Sequence, residues 1–141
     1  MKNFALLLVA LLSAVAISCD DETTSLVNSP QTADGEWHLV QVTGSIAGVN
    51  DVFEPATITW TFNEDGTVDV INTNTNAQLT DFFETGTYNF LIMPNEDAPE
   101  MCPNVMMIEN MNFGCQSGNE EELLLTNTWA DGYQLRFIKM D

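Results

Sequence analysis

The sequence predicts an all-β domain, an antiparallel up-and-down meander of seven or eight strands that closes into a small barrel. Three observations support this fold class. Helical periodicity is nearly absent, β-branched and aromatic residues alternate with polar ones from residue 36 onward, and turn residues separate these runs at short intervals. Because an open meander leaves two unpaired strand edges, closing the sheet on itself is the economical arrangement.

The first three predicted strands cover residues 36–43, 58–62 and 67–72. In the second of them, ITWTF, every other side chain is large and apolar, so one face of this strand is expected to point into the barrel. The turn NEDG follows, and Gly66 stands where a hairpin turn needs a positive φ. Residues 58–72 are therefore predicted to form a β-hairpin.

Four further strands are predicted at 84–93, 105–112, 123–129 and 133–140. The first of these carries aromatic and aliphatic side chains on one face, and an Asp-Gly turn introduces the last. An eighth strand is expected near 76–83. Most connections between these segments are short, which is typical of a meander.

Two longer segments interrupt the alternation of strands and turns. Residues 44–57 contain glycines and Pro55, so they are expected to form a long first loop or lid. Residues 93–104 contain three prolines and three carboxylates, which indicates an irregular, exposed loop. The second loop is a candidate surface for contacts with other molecules.

An apolar stretch at 4–17 follows Lys2 and precedes Cys19, and no acidic residue occurs before that cysteine. The stretch has the length of a signal-peptide core and is shorter than the roughly 20 residues of a membrane-spanning helix. Residues 16–19 resemble the lipobox of bacterial lipoproteins, in which the cysteine is acylated and becomes the new N-terminus. Ala16 departs from that motif, which usually has Leu, Val or Ile there. The alternative is an ordinary secretory signal cleaved after Ala16.

The lipoprotein interpretation divides the chain into a signal peptide at 1–18, a polar and acidic tether at 19–33, and the barrel domain at 34–141. Acylation of Cys19 anchors such a protein permanently in a membrane, because each buried methylene contributes roughly 0.8 kcal/mol. Asp20 directly after the cysteine resembles the inner-membrane retention signal of enterobacteria. The acidic cluster there also resembles the surface-export signal of other Gram-negative groups. We expect an outer-membrane protein that faces outward.

The chain has three cysteines, and export to an oxidising compartment favours their pairing. Acylation of Cys19 leaves Cys102 and Cys115 as a natural pair, so a disulfide between these two is expected. It would stabilise the fold by roughly 3 kcal/mol through the short loop that it closes. No metal or other cofactor is expected, because His38 is the only histidine in the sequence.

The charge of the chain excludes one large class of partners. The formal net charge is −18, with 21 acidic residues against three basic ones. A negative field of this size repels phosphate backbones and anionic lipid head groups, so nucleic-acid binding is excluded. Most of the carboxylates are expected to form a solvated surface. The domain is expected to be a monomer.

A set of short motifs resembles a known family. Gly35-Glu36-Trp37 opens the first strand, F-N-E-D-G-T-V at 62–68 and G-T-Y at 86–88 follow, and Leu-Arg-Phe-Ile-Lys at 135–139 closes the chain. This pattern resembles the bacterial lipocalin-like domains, small lipoprotein barrels that begin G-x-W-x-L and end in a strand of the l-x-F-x-K type. The W-x-L opening and the hairpin are also similar to META-type envelope domains, but the Gly-Cys-Asn of that family is missing.

In the lipocalin-like family the tryptophan of the motif lies at the floor of the barrel, and a basic residue of the last strand packs over it. The resemblance implies that Gly35 and Trp37 form this signature. It also implies that Arg136 is the cation, with Lys139 as the alternative. A contact of this kind contributes roughly 0.5–2 kcal/mol, and its role is structural.

A barrel of about eight strands is either filled or just wide enough for one small ligand. The candidate pocket residues are Trp60, Phe62, Tyr88, Phe90, Met107 and Leu125. No catalytic residues are predicted, because His38 accompanies no recognisable nucleophile motif and acidic pairs arise by chance in so acidic a chain. The turn NEDGTVD at 63–69 lacks the ligand spacing of a calcium loop.

The leading hypothesis is a non-enzymatic, lipid-anchored barrel that holds a small hydrophobic ligand at its open end. The alternative is an envelope interaction module that binds protein or glycan through its loops and has a solid core. A continuous apolar cavity of roughly 300 Å³ or more would favour ligand binding, whereas a filled interior would favour the surface.

Overall fold

A computed structural model describes residues 33–97, 99–100, 102–126 and 132–140. None of these residues is helical, so the described part contains no helix that is long and apolar enough to cross a membrane. The predicted signal peptide, Cys19 and nearly all of the tether lie outside the described residues. The strands of the described part are β1 Gly35–Gly44, β2 Val49–Val52, β3 Ile58–Phe62, β4 Thr67–Asn72, β5 Gly86–Pro94, β6 Asn104–Ile108, β7 Met111–Gly118, β8 Glu122–Thr126 and β9 Tyr133–Ile138.

The strands form an antiparallel meander that closes into a barrel. Strand β1 pairs with β3, each later strand pairs with the next along the chain, and β9 returns to β1, which gives a ring of eight strands. Strand β2 is additional and pairs with β1 alone among the described strands. The predicted fold class is therefore confirmed.

Strand β1 is long enough to pair with two strands along one of its edges. Its first half pairs with β3 from Gly35 to His38, and its second half pairs with β2 from Gln41 to Gly44. Strands β2 and β3 consequently lie end to end along the edge of β1 that faces away from β9. The predicted loop 44–57 thus contains a strand, which its short and partly polar sequence VNDV does not reveal.

The prediction for the middle of the chain was wrong in two places. The single strand expected at 105–112 is the hairpin of β6 and β7, which turns at Glu109 with a φ of 52°. The strand expected near 76–83 is an irregular connection. Strand β7 completes the barrel instead. Its register with β6 shifts between Met106 and Met107, because Phe113 is an extra residue before Gly114 that forms a bulge. Such a bulge interrupts the alternation by which a strand is recognised.

The apolar faces of the strands meet inside the barrel and form one core. On β3 the inward face carries Ile58, Trp60 and Phe62, as the alternation of ITWTF predicts. Eight strands enclose an interior that side chains fill. The largest fully buried side chains are Trp37, Trp60, Phe137, Leu39, Ile58, Met106, Ile108, Leu123, Leu125, Leu135, Val42 and Val68.

The two cysteines of the barrel domain lie at disulfide distance. Their Cα atoms are 5.5 Å apart, and Cys102 precedes β6 while Cys115 lies on β7. The bond joins the end of the proline-rich loop to the strand that pairs with β6. The predicted pairing of Cys102 with Cys115 agrees with this geometry.

The β3–β4 hairpin carries a hydrogen-bonded carboxylate on its outer face. The Asp69 carboxylate accepts hydrogen bonds from the Thr87 hydroxyl at 2.5 Å and from the Asn63 amide at 2.9 Å. Both bonds favour the ionised form, and together they lower the pKa of Asp69 from its ordinary value, with Thr87 contributing most.

Removal of the disulfide is expected to destabilise the barrel. Changing Cys102 and Cys115 together to serine should lower the free energy of unfolding by about 3 kcal/mol, because the bridge closes a short loop in the unfolded chain. Urea denaturation measures the loss, and reduction of the wild-type protein is the control. A wild-type midpoint that does not move on reduction would contradict the prediction.

The Thr87→Val substitution is expected to raise the pKa of Asp69 back toward its ordinary value. A carboxylate whose pKa is lowered by folding stabilises the fold above its unfolded pKa, and this contribution disappears as the pH falls through the folded pKa. NMR titration of the Asp69 carboxyl carbon measures the shift. Thr85→Val is the matched control, because the Thr85 hydroxyl bonds the Asn72 backbone instead. The same Asp69 midpoint in T87V and wild type would refute the assignment.

Candidate functional site

The centre of the barrel is filled by aromatic rings. The Trp60 ring lies 4.9 Å from that of Phe137, 5.5 Å from Phe83, 5.7 Å from Phe113 and 6.2 Å from Phe62, measured between centroids. These rings come from three strands and one connection, and most contacts are edge-to-face. Rings in such arrangements contribute about 0.5–1.5 kcal/mol per pair beyond the area that they bury.

The indole nitrogen of Trp60 is the exception to this well-packed centre. The side chain is fully buried, and its Nε1 has no hydrogen-bond partner among the described residues. A buried donor without a partner costs roughly 1–3 kcal/mol. An acceptor that reached this nitrogen would therefore gain a hydrogen bond that the protein itself does not provide.

Five of the six predicted pocket residues line the interior. Trp60, Phe62 and Leu125 are buried, and the inward-facing Tyr88 and Phe90 are half-buried against the core. They belong to the packed core and do not surround an open pocket.

The sixth predicted pocket residue, Met107, does not line the interior. It pairs with Leu91, whose side chain is 57% exposed, and these two residues lie on the outer face of the barrel. The neighbouring Met106 and Ile108 point inward and are fully buried. Because VMMI is apolar throughout, its sequence does not identify which of the two methionines faces the core.

The connection between β4 and β5 supplies two rings that sequence reasoning missed. Phe83 is buried and contacts Trp60, Tyr88 and Phe113, whereas Phe82 contacts the rings of Phe113 and Tyr133. We call residues 73–85 the plug segment, because these rings close the end of the barrel where β7 and β9 begin. The signal in the sequence is the Phe-Phe pair within an otherwise polar stretch.

Polar side chains hold the plug segment in place. The Asn72 amide donates to the Phe83 carbonyl at 2.7 Å and to the Asp81 carboxylate at 3.0 Å. The Thr80 backbone N–H donates to the Asp51 carboxylate of β2 at 2.8 Å. Phe83 is thus fixed by a backbone contact on one side and by ring contacts on the other.

Two concavities lie beside the plug segment. One has a volume of about 240 Å³ and is lined mainly by apolar side chains, among them Phe82, Phe113, Tyr133 and Leu135. The other is a polar cleft of about 540 Å³ along the plug segment itself, lined mainly by asparagines, threonines and carboxylates. Neither one extends the barrel interior into a continuous apolar cavity that includes Trp60.

The opposite end of the barrel is closed by the predicted signature tryptophan. Trp37 is fully buried, and its indole nitrogen donates to the Ala33 carbonyl at 3.0 Å. The Lys139 ammonium lies 4.8 Å from the centre of the Trp37 ring. Gly35, with a φ of 95°, lies directly beneath this lysine, since a Cβ there would be 3.7 Å from its Nζ.

The assignment of the cation to Arg136 was wrong, and the alternative Lys139 takes this position. Arg136 alternates with the buried Leu135 and Phe137, so its side chain points outward. There its Nε donates to the Glu122 carboxylate at 2.6 Å. An exposed pair of this kind contributes about 0–1 kcal/mol.

The single histidine is buried and has two polar neighbours. His38 is 4% exposed, its Nδ1 lies 3.2 Å from the Thr59 hydroxyl on the paired strand, and its Nε2 lies 3.4 Å from a Glu36 oxygen. The arrangement satisfies a buried polar side chain between β1 and β3. Among the described residues no group of three or more histidine, cysteine or acidic side chains is placed to hold a metal ion.

Comparisons with protein-family models, with curated proteins and with solved structures find no match for this chain. The resemblance to lipocalin-like domains therefore stays a prediction that rests on short motifs. The barrel itself, its closed floor at Trp37 and its filled centre at Trp60 are the observations from which a function must be argued.

Proposed function

We propose that this protein is a non-enzymatic, lipid-anchored interaction module of the cell envelope that binds protein or glycan through its outer surface and loops. The observation that carries the proposal is the filled centre of the barrel. Trp60 is fully buried among four phenylalanine rings, which leaves no space for a ligand at the position where a hollow barrel would hold one.

The plug segment supports the same proposal. Phe83 occupies the mouth side of the core, and the hydrogen bonds of Asn72 and Asp51 fix the segment at two points. The apolar cavity at the mouth, about 240 Å³, is smaller than the roughly 300 Å³ at which typical ligand pockets begin. A solid barrel of this kind is a rigid support for the loops that it carries.

The proposed location follows from the N-terminal sequence. The apolar stretch at 4–17 and the lipobox-like residues before Cys19 support an acylated anchor, and the acidic cluster after it supports export to the outer membrane. In this proposal residues 19–33 form the tether that separates the barrel from the bilayer. A surface that faces outward is where an interaction module meets its partners.

A second candidate function is the binding of a small apolar ligand at the mouth. It is favoured by the aromatic lining of the cavity beside Phe82 and by the buried Trp60 nitrogen that lacks a partner among the described residues. A ligand that displaced the plug segment and carried a hydrogen-bond acceptor would satisfy this nitrogen. The two functions differ in whether the barrel takes up an apolar molecule.

The wild-type protein is expected not to bind a small apolar probe such as N-phenyl-1-naphthylamine in a saturable manner. Phe83→Ala should create binding, because it removes the ring that packs against Trp60, and it should cost about 3–5 kcal/mol of stability. Probe fluorescence measures the binding, and circular dichroism checks the fold of the variant.

Phe90→Ala is the matched control for this experiment, because the Phe90 ring packs against Phe62, makes no described ring contact with Trp60 and does not line the mouth cavity. Binding of one probe per wild-type molecule, with an affinity that Phe82→Ala changes, would overturn the solid-core proposal and establish the second candidate.

Cys19→Ala is expected to release the protein from the membrane fraction, because the acyl chains have no attachment site without the cysteine. Cell fractionation with carbonate washing measures the distribution, and Cys102→Ala, which leaves the lipobox-like residues intact, is the control. If the Cys19→Ala protein remains membrane-bound, the lipid anchor is refuted.

A further inference from the structure

The outer face of β5 and β6 is apolar, which the barrel itself does not require. Both strands contain four apolar residues in a row, FLIM at 90–93 and VMMI at 105–108, whereas a strand with one solvated face alternates. The register pairs Leu91 with Met107 and Met93 with Val105. We call these four residues the outer β5–β6 patch.

The patch is accessible, and its surroundings are polar. Leu91 is 57% exposed, and the other three side chains are half-buried beside it. On the next strand, β4, the outward Thr67 pairs with Asn89, which lies two residues before Leu91. Exposed apolar patches with a polar rim are typical of interaction sites.

Carboxylates lie at both ends of the patch. Glu109 accepts hydrogen bonds at one oxygen from the Asn89 backbone at 2.8 Å and from the Asn89 amide at 3.1 Å, two residues before Leu91. Beyond Met93, the proline-rich loop carries the exposed carboxylates of Glu96, Asp97 and Glu100.

The disulfide holds this loop next to the patch. Cys115 pairs with Val105 on the outer face, and its bond to Cys102 ties the end of the loop to β7. The loop closes further through the Asn95 backbone N–H, which donates to the Pro103 carbonyl at 2.9 Å. The apolar centre and the acidic rim therefore form one surface whose parts are held by covalent and hydrogen bonds.

We propose that the outer β5–β6 patch is the docking site for a protein partner that presents apolar side chains flanked by lysine or arginine. This inference rests on the proposed function and names the surface and the chemistry of its partner. The acidic rim selects a basic partner, and the two methionines adapt their shape to apolar side chains.

Charge and area argue against the other occupants. A second copy of this chain would bring a net charge of −18 against the same charge, and four partly exposed side chains cover much less than the roughly 800 Å² per partner of a stable dimer. The carboxylates at both ends repel anionic lipid head groups. A short basic segment meets neither obstacle.

Fluorescence anisotropy with a labelled peptide of alternating lysine and leucine tests the proposal. The full chain carries Cys19→Ala, which removes the proposed acylation site, and the peptide should bind it at low salt. Leu91→Ser should weaken binding about tenfold, as expected for the loss of one buried leucine side chain. Met107→Thr, at the paired position, should weaken it in the same direction.

Ile71→Ser is the matched control, because Ile71 is 55% exposed on the outer face of β4 and lies outside the patch. It should leave the affinity unchanged within twofold, and a lysine–serine peptide should bind much more weakly than the lysine–leucine peptide. Equal effects of the Leu91 and Ile71 substitutions, or equal binding of both peptides, would overturn the proposal.

Two further outcomes would assign the patch to another occupant and overturn the proposal. One is a dimer in sedimentation that Leu91→Ser abolishes, and the other is binding to phosphatidylcholine vesicles that Leu91→Ser abolishes. The solid-core proposal and the patch proposal can be refuted separately. Probe uptake by the barrel interior refutes the solid core, whereas an unchanged affinity in Leu91→Ser refutes the patch and leaves the solid core standing.

Discussion

The packing of Trp60 against the phenylalanine rings around it is the interaction on which the barrel depends. Its partners Phe83, Phe113 and Phe137 come from the plug segment, β7 and β9, which are far apart along the chain. An eight-stranded ring encloses a space that must be filled, since voids lose the dispersion contacts of every atom that lines them. One large ring on β3 therefore fixes the distance between opposite walls of the barrel.

The polar plug segment and the apolar centre depend on each other. Asn72 donates to the Phe83 carbonyl and to Asp81, and this bonding directs the Phe83 ring inward against Trp60. The ring in turn keeps the segment close to the barrel, where Asp51 accepts from the Thr80 backbone. A run of asparagines and threonines that resembles a loose loop in the sequence thus has a structural task. It also explains why the mouth cavity stays small.

The parts of the fold that sequence predicts are those whose side chains alternate. ITWTF and Gly66 identify the β3–β4 hairpin because one face is strictly apolar and the turn needs a positive φ. Strands β2 and β7 were missed, since the first has four residues and the second is bulged at Phe113. The floor at Trp37 was predicted from family motifs, but the cation there is Lys139. Lys139 lies two residues after the buried Phe137, so the two side chains point to the same face, whereas the adjacent Arg136 points to the opposite one.

Strand β6 lacks alternation, so its sequence does not identify Met106 as the inward methionine. The same lack of alternation locates the outer β5–β6 patch. In a filled barrel only the inward face of a strand needs to be apolar, yet β6 is apolar on both faces. The paired residues FLIM of β5 show the same pattern. In a chain with a net charge of −18, outward apolar side chains contribute nothing to solubility and little to the core. The contact with another molecule that we propose accounts for both strands at once. In this proposal the filled centre at Trp60 provides rigidity and the apolar outer face provides recognition.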